Sequence, residues 1–97
     1  MLHIVNKSPF ESSGLDSCLR VALPGAAVLL IEDGVYAATK AAQARIGAAQ
    51  GGLRLYALAP DIEARGMQGN VAPGVELVDY AGFVDLVTGH AAVQSWL

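Results

Sequence analysis

A single cysteine, Cys18, in 97 residues excludes an internal disulfide and any metal site that needs several thiolates from one copy of the chain. Cations are scarce as well. The six are Lys7, Arg20, Lys40, Arg45, Arg54 and Arg65, scattered without forming a stripe, and the net charge is -3, so direct binding to a nucleic-acid backbone is not expected. Long apolar runs are missing too, none approaching the ~20 residues of a membrane-crossing helix; no membrane association is expected. Met1-Leu2-His3-Ile4 enters a strand without the charged segment and apolar core of a signal peptide, which points to the cytoplasm. Neither G-x-G-x-x-G nor a Walker sequence occurs, and the two histidines, His3 and His90, stand apart from any second ligand. No cofactor and no metal is expected.

What the chain does have is apolar residues. They make up 54% of it before its 11 glycines are added, against roughly 45–50% with glycine included in an ordinary domain. A chain this short makes one domain, residues 1–97, and buries only a little over ~60% of its unfolded surface. The surplus therefore implies a covered protein interface and obligate oligomerisation.

The most informative stretch is Val28-Leu29-Leu30-Ile31-Glu32-Asp33-Gly34-Val35-Tyr36-Ala37-Ala38. Four apolar residues without alternation suit a strand buried on both faces. Glu32-Asp33-Gly34 then stops the run, and Asp33 can cap a helix predicted over Gly34 to Ala49, with Val35, Ala38, Ala42, Ile46 and Ala49 near one face.

The rest of the chain follows the same alternation. Leu2 to Val5 reads as a first strand, closed by Asn6-Lys7-Ser8-Pro9. Ser13 and Asp16 are spaced as a capping box, and Leu15, Cys18, Leu19 and Ala22 form a helical stripe that Pro24-Gly25 ends. Ala27 to Ile31 is the second strand and, after Gln50-Gly51-Gly52, Leu53 to Leu58 the third. Pro60 opens a short helix with Asp61 and Glu63 near its start, Arg65 near its end and Gly66 as its stop. Met67 to Gly74 reads as a loop. Val75 to Val78 is a fourth strand, more exposed because of Glu76, and Asp79 caps a last helix with Tyr80, Phe83, Val84 and Val87 on its core face. Ala91 to Leu97 is either an edge strand or an interface anchor built on Val93, Trp96 and Leu97.

This βαβαβαβα order predicts an α/β fold, a mainly parallel sheet of four to five strands with helices on both faces and right-handed crossovers. Ligands gather beyond the carboxyl ends of such strands. Here those ends hold Glu32, Asp33, Asp61 and Asp79 against Lys7, an edge that repels phosphate.

The candidate chemical residues each have a plainer role. Cys18 can accept sulfane sulfur as a thiolate, or it can simply pack beside Leu15, Leu19 and Ala22. Glu32 and Asp33 can form a proton-transfer pair, or Asp33 can be a cap. His3 can shuttle protons or sit hydrogen-bonded in its strand. His90 suits the negative end of the last helix, and Lys7 with Ser8 can bind an anion or remain solvated. No nucleophile, base and orienter share a recognisable spacing.

Asn6-Lys7-Ser8-Pro9-Phe10, Leu29 to Ala38, Asp61-Ile62-Glu63-Ala64-Arg65-Gly66, Asp79 to Leu86 and the closing Val93-Gln94-Ser95-Trp96-Leu97 together resemble the DsrH/TusB family of sulfur-relay proteins. Lys7-Ser8-Pro9-Phe10 with Cys18-Leu19 looks closer to the DsrH branch. The resemblance implies a three-layer α/β/α, DsrE-like fold. It also implies a heterohexamer with two homologous DsrE/DsrF (TusD/TusC)-like subunits, which hands persulfide sulfur to a DsrC/TusE-like carrier, for sulfur oxidation or for 2-thiolation of the tRNA wobble uridine. In the sister subunit that carries the active persulfide, the cysteine lies at the end of the third core strand. The matching region here, Tyr56-Ala57-Leu58, has no thiol, so the resemblance implies an accessory subunit, with Cys18 at most an auxiliary persulfide site.

Overall fold

The computed structural model describes residues 1–42 and 52–96. Its centre is one parallel sheet in the order β4-β3-β2-β1-β5, formed by β1 (Leu2–Val5), β2 (Ala27–Leu30), β3 (Arg54–Leu58), β4 (Val75–Val78) and β5 (Val93–Trp96). β2 lies in the middle, and all four of its residues are buried, as an apolar run without alternation requires. β1 pairs with β2 from Leu2 opposite Ala27 to Val5 opposite Leu30, and with β5 from Leu2 opposite Val93 to Val5 opposite Trp96. The tail is thus an edge strand.

Alternation along the strands divides the core in two. Val5, Val28, Leu30, Leu55 and Ala57 face the larger cluster, which takes Leu15 and Cys18 from α1 (Gly14–Val21), Val35, Ala37 and Ala38 from a 3₁₀ helix (Glu32–Ala38), and Ile62 from α2 (Ala59–Ala64). Leu2, Ala27 and Leu29 face the smaller cluster, against Phe83, Leu86 and Val87 of α3 (Tyr80–Thr88). Strands β1 to β4 are laid down in one direction and β5 on the far side of β1. A constant crossover hand therefore transfers the last connection, α3, to the opposite face. That face has α3 as its cover among the described residues, and no residue of α3 is fully buried.

Several expectations need correction. The second helix does not run unbroken from Gly34 to Ala49. A 3₁₀ helix ends at Thr39, whose extended backbone bridges Val71; Thr39 Oγ1 donates to the Tyr36 carbonyl and accepts from Ala42 N. Thr39 thereby starts a new helical segment at residues 40–42, satisfying an amide the previous turn cannot reach. Ile46, Ala49, the Gln50-Gly51 part of the break and Leu97 lie outside the described residues. Asp33 does not cap this segment, because Ile31 holds the cap position without a side-chain bond.

The capping box at Ser13 is not formed either. Ser13 has φ -89° and ψ 6° and makes no cap bond, and Ser12 Oγ accepts from Gly14 N instead. Asp79 does cap α3, its Oδ1 accepting from Gly82 N at 2.8 Å. On that helix Tyr80 and Val84 point outward, 63% and 56% exposed; Leu86 completes the inward face with Phe83 and Val87. The span from Met67 to Gly74 contains a 3₁₀ turn, Gln68–Asn70, and Ala72 N donates to the Ala38 carbonyl.

Candidate functional site

The carboxyl ends of the strands meet where the connections part. The chain leaving β3 turns to one face as α2, and the chain leaving β4 turns to the other as α3, which opens a crevice at the point where connectivity changes sides. A cleft of ≈ 250 Å³ lies there, lined by Ile31, Glu32, Leu58, Asp61, Tyr80 and Phe83.

The turn after β2 is shaped by a close approach. Gly34 sits so near β1 that a Cβ would overlap the Val5 carbonyl, and Gly34 N donates to the Ile31 carbonyl at 2.8 Å. Glu32 is left with φ +50°, a region that costs a non-glycine residue about 1–3 kcal/mol and persists only when neighbours hold it. The holder is Asp61, whose Oδ2 accepts from Glu32 N at 2.7 Å.

Asp33 is held across the same turn by Arg65, whose Nε and Nη2 both donate to its Oδ1 at 3.1 and 2.8 Å. Arg65 Nη1 reaches the Asp61 carbonyl at 3.3 Å and lies 3.9 Å from Asp61 Oδ1. The hydrogen bonding that Arg65 donates to Asp33 raises the Arg65 pKa further, against a smaller opposing effect of burial. Glu32 and Asp33 are therefore not a carboxylate pair sharing a proton. One is aimed at solvent and the other is matched to a guanidinium. Asp61 does more than start α2: it ties that helix to the β2 turn.

Cys18 is not among the residues that line the cleft. It is 0% exposed, within the larger core cluster, and burial pushes its thiol pKa up to about 11. His3 is also buried, and its Nδ1 accepts from Trp96 Nε1 at 3.1 Å. Desolvation lowers its pKa, with a smaller contribution from the Met1 ammonium. That bond fixes the tautomer, with the proton on Nε2. His90 Nδ1 donates to the Leu86 carbonyl at 2.7 Å, the helix-end role expected of it. Ser8 is buried and its Oγ accepts from Phe10 N, which makes it a turn residue; Lys7 is exposed.

The residues brought together are thus Glu32, Asp61 and the end of β3, joined by Tyr80 and Phe83, which the helical stripe had assigned to the core. Arg65 was seen only as a helix-end charge; its partner is 32 residues away, beyond any local pattern. Among the described residues no cluster of three or more His, Cys, Asp or Glu can hold a metal. None of the residues that line the cleft is a cysteine.

The DsrH family model, described as "DsrH like protein", matches residues 7–93. Protein TusB of Pectobacterium parmentieri is 38% identical over 96 residues, covering 99% of this chain and all of that one. Protein TusB of Escherichia coli K12 is 32% identical over the same span. Among solved structures, the ychN protein of E. coli has the same fold, with a TM-score of 0.76 at 16% identity over 97% of both chains. Protein Tm0979 of Thermotoga maritima superposes at a TM-score of 0.64 and 25% identity over 93% of this chain and 94% of that one.

Proposed function

The chain belongs to the DsrH family, and from that premise we propose that it is an accessory subunit of a sulfur-relay complex, shaping the assembly without itself holding the travelling sulfur. One observation carries the proposal. The end of β3, Tyr56-Ala57-Leu58, has no thiol, while the single thiol of the chain is sealed in the core.

In the relay, an acceptor thiolate attacks the terminal sulfur of a donor persulfide, the S–S bond breaks and the donor leaves as a thiolate, so no oxidant is consumed. A carrier in this chemistry needs an ionised, reachable thiol. The raised pKa and full burial of Cys18 support a packing role for it. Its use as an auxiliary acceptor would require α1 to lift from the sheet.

The partners in this reading are two homologous DsrE/DsrF (TusD/TusC)-like chains in a cytoplasmic heterohexamer, and a DsrC/TusE-like carrier. The singly covered sheet face supports it. So do the exposed Leu77, Tyr80, Val84 and Val93 around α3 and the two sheet edges, the kind of apolar surface that marks an interface. No helix among the described residues is long and apolar enough to cross a membrane. Residues 1–97 act here as one unit, supported by a sheet that takes strands from both ends of the chain. The names of the TusB relatives favour tRNA 2-thiolation over sulfur oxidation as the destination.

The test is co-expression with the two homologous chains and native mass spectrometry of the product. Two copies of each chain in one particle is the expected result. Recovery of this chain solely as a soluble monomer overturns the proposal.

A further inference from the structure

We propose that the cleft between the ends of β2, β3 and β4 is a socket for an arginine side chain of a partner protein. The protein nature of the occupant rests on the accessory-subunit reading; the chemistry of the socket comes from its lining. Ile31, Leu58, Phe83 and Tyr80 give it apolar walls, and Glu32 and Asp61 give it an acidic rim. Its ≈ 250 Å³ is below the ~300–1,000 Å³ of sites for drug-sized ligands. One long side chain is the occupant of matching size.

Charge decides its sign. Arg65 is engaged by Asp33 at 2.8 Å and is 3.9 Å from Asp61, so its single positive charge is already matched. Glu32 has no ion-pair partner among the described residues, and Asp61 has only a long one, 3.9 Å from its Oδ1 to Arg65 Nη1, beside the bond its Oδ2 accepts from Glu32 N. Lys7, at the neighbouring end of β1, forms no ion pair among the described residues either. Phosphate and carboxylate are repelled from this rim, and a cation completes it.

An arginine fits better than a lysine or a free polyamine. Its planar, weakly hydrated guanidinium stacks on the rings of Tyr80 or Phe83 while donating to carboxylates. Its methylene stem covers the apolar Ile31 and Leu58.

The experiment is an NMR titration of the full chain with acetyl-arginine amide, alongside acetyl-glutamate amide and spermidine. Saturable shifts centred on Ile31, Glu32, Leu58, Tyr80 and Phe83 are expected for the arginine compound, with weaker binding of spermidine and no response to the glutamate compound. Glu32→Gln, an exposed and conservative change, should weaken arginine binding about two- to five-fold, the range for one exposed ion pair. Absence of saturation, an equal response to the glutamate compound, spermidine binding as tight as arginine, or an unchanged Glu32→Gln titration each overturns the proposal. A failed titration beside an intact three-chain particle rejects the socket alone. A successful titration with no particle rejects the accessory reading instead.

Discussion

The reactivity of Cys18 gives a number that the structure fixes from two directions. With its pKa at about 11, the thiol is ~0.1% ionised at pH 8, against ~24% for an ordinary cysteine of pKa ≈ 8.5, a ~240-fold deficit in thiolate. A more basic thiolate is the better nucleophile, and a Brønsted slope of ~0.45 over ~2.5 pKa units returns about 13-fold. Ionisation alone therefore leaves Cys18 about 20-fold slow. Access imposes a second penalty. A side chain at 0% exposure reacts only when the structure opens, and a local opening of α1 that costs roughly 3–5 kcal/mol, at or below the ~5–15 kcal/mol of a whole domain, gives an open fraction of about 1 in 10² to 1 in 10⁴. The assay is the rate of labelling by a chromogenic disulfide at pH 8, in buffer and in denaturing urea. Native labelling should be about 10² to 10⁴ times slower than unfolded and should accelerate with sub-denaturing urea. Protection below about 20-fold would mean the thiol is reached in the folded state, and the packing reading of Cys18 would be refuted.

Three further outcomes follow from the same contacts. Gly34→Ala should destabilise the fold by about 3 kcal/mol or more, because the added Cβ meets the Val5 backbone carbonyl rather than a side chain that can swing away; a thermal melt checks it, and a Tm within a few degrees of wild type would contradict the packing. Asp79→Ala should cost about 1 kcal/mol by removing the α3 cap bond to Gly82 N, read as a shift in the urea midpoint without a change in slope. His3, whose lowered pKa means that the unfolded chain binds the extra proton first, should contribute stability that is complete above its ordinary pKa of 6.5 and lost as pH falls below it toward the folded value. Tryptophan fluorescence should report the loss of the Trp96 to His3 bond, and His3→Gln should flatten the pH profile in that window.

What was legible in the sequence was whatever depends on local periodicity. β2 was visible because Val28 to Leu30 needs cover on both faces, and Asp79 because a cap acts three residues ahead. The family was visible as well, in motifs distributed along nearly the whole chain. The site was less so. Glu32, Asp33 and Asp61 were recognised as strand-end acids, yet their roles depend on an Arg65 contact 32 residues distant and on the overlap that forces Gly34 against β1. Thr39 was missed as a cap because its own extended backbone is pinned by Val71, a tertiary pairing that interrupts an otherwise good helical stripe. Tyr80 and Val84 were assigned inward on spacing alone. With a single helix laid across that sheet face among the described residues, only Phe83, Leu86 and Val87 find apolar neighbours beneath them.

On the proposed reading, sulfur moves through the assembly without stopping on this chain. The direct measurement is a mass-spectrometric time course of sulfur transfer in the reconstituted three-chain complex, with wild-type chain or with Cys18→Ala, a replacement that leaves no unpaired hydroxyl in the core. A gain of about 32 Da, one sulfur, is expected on the partner and then on the carrier at equal rates for both complexes, with no adduct on this chain. A transient adduct on Cys18, or carrier loading that stalls in the alanine variant, would contradict it.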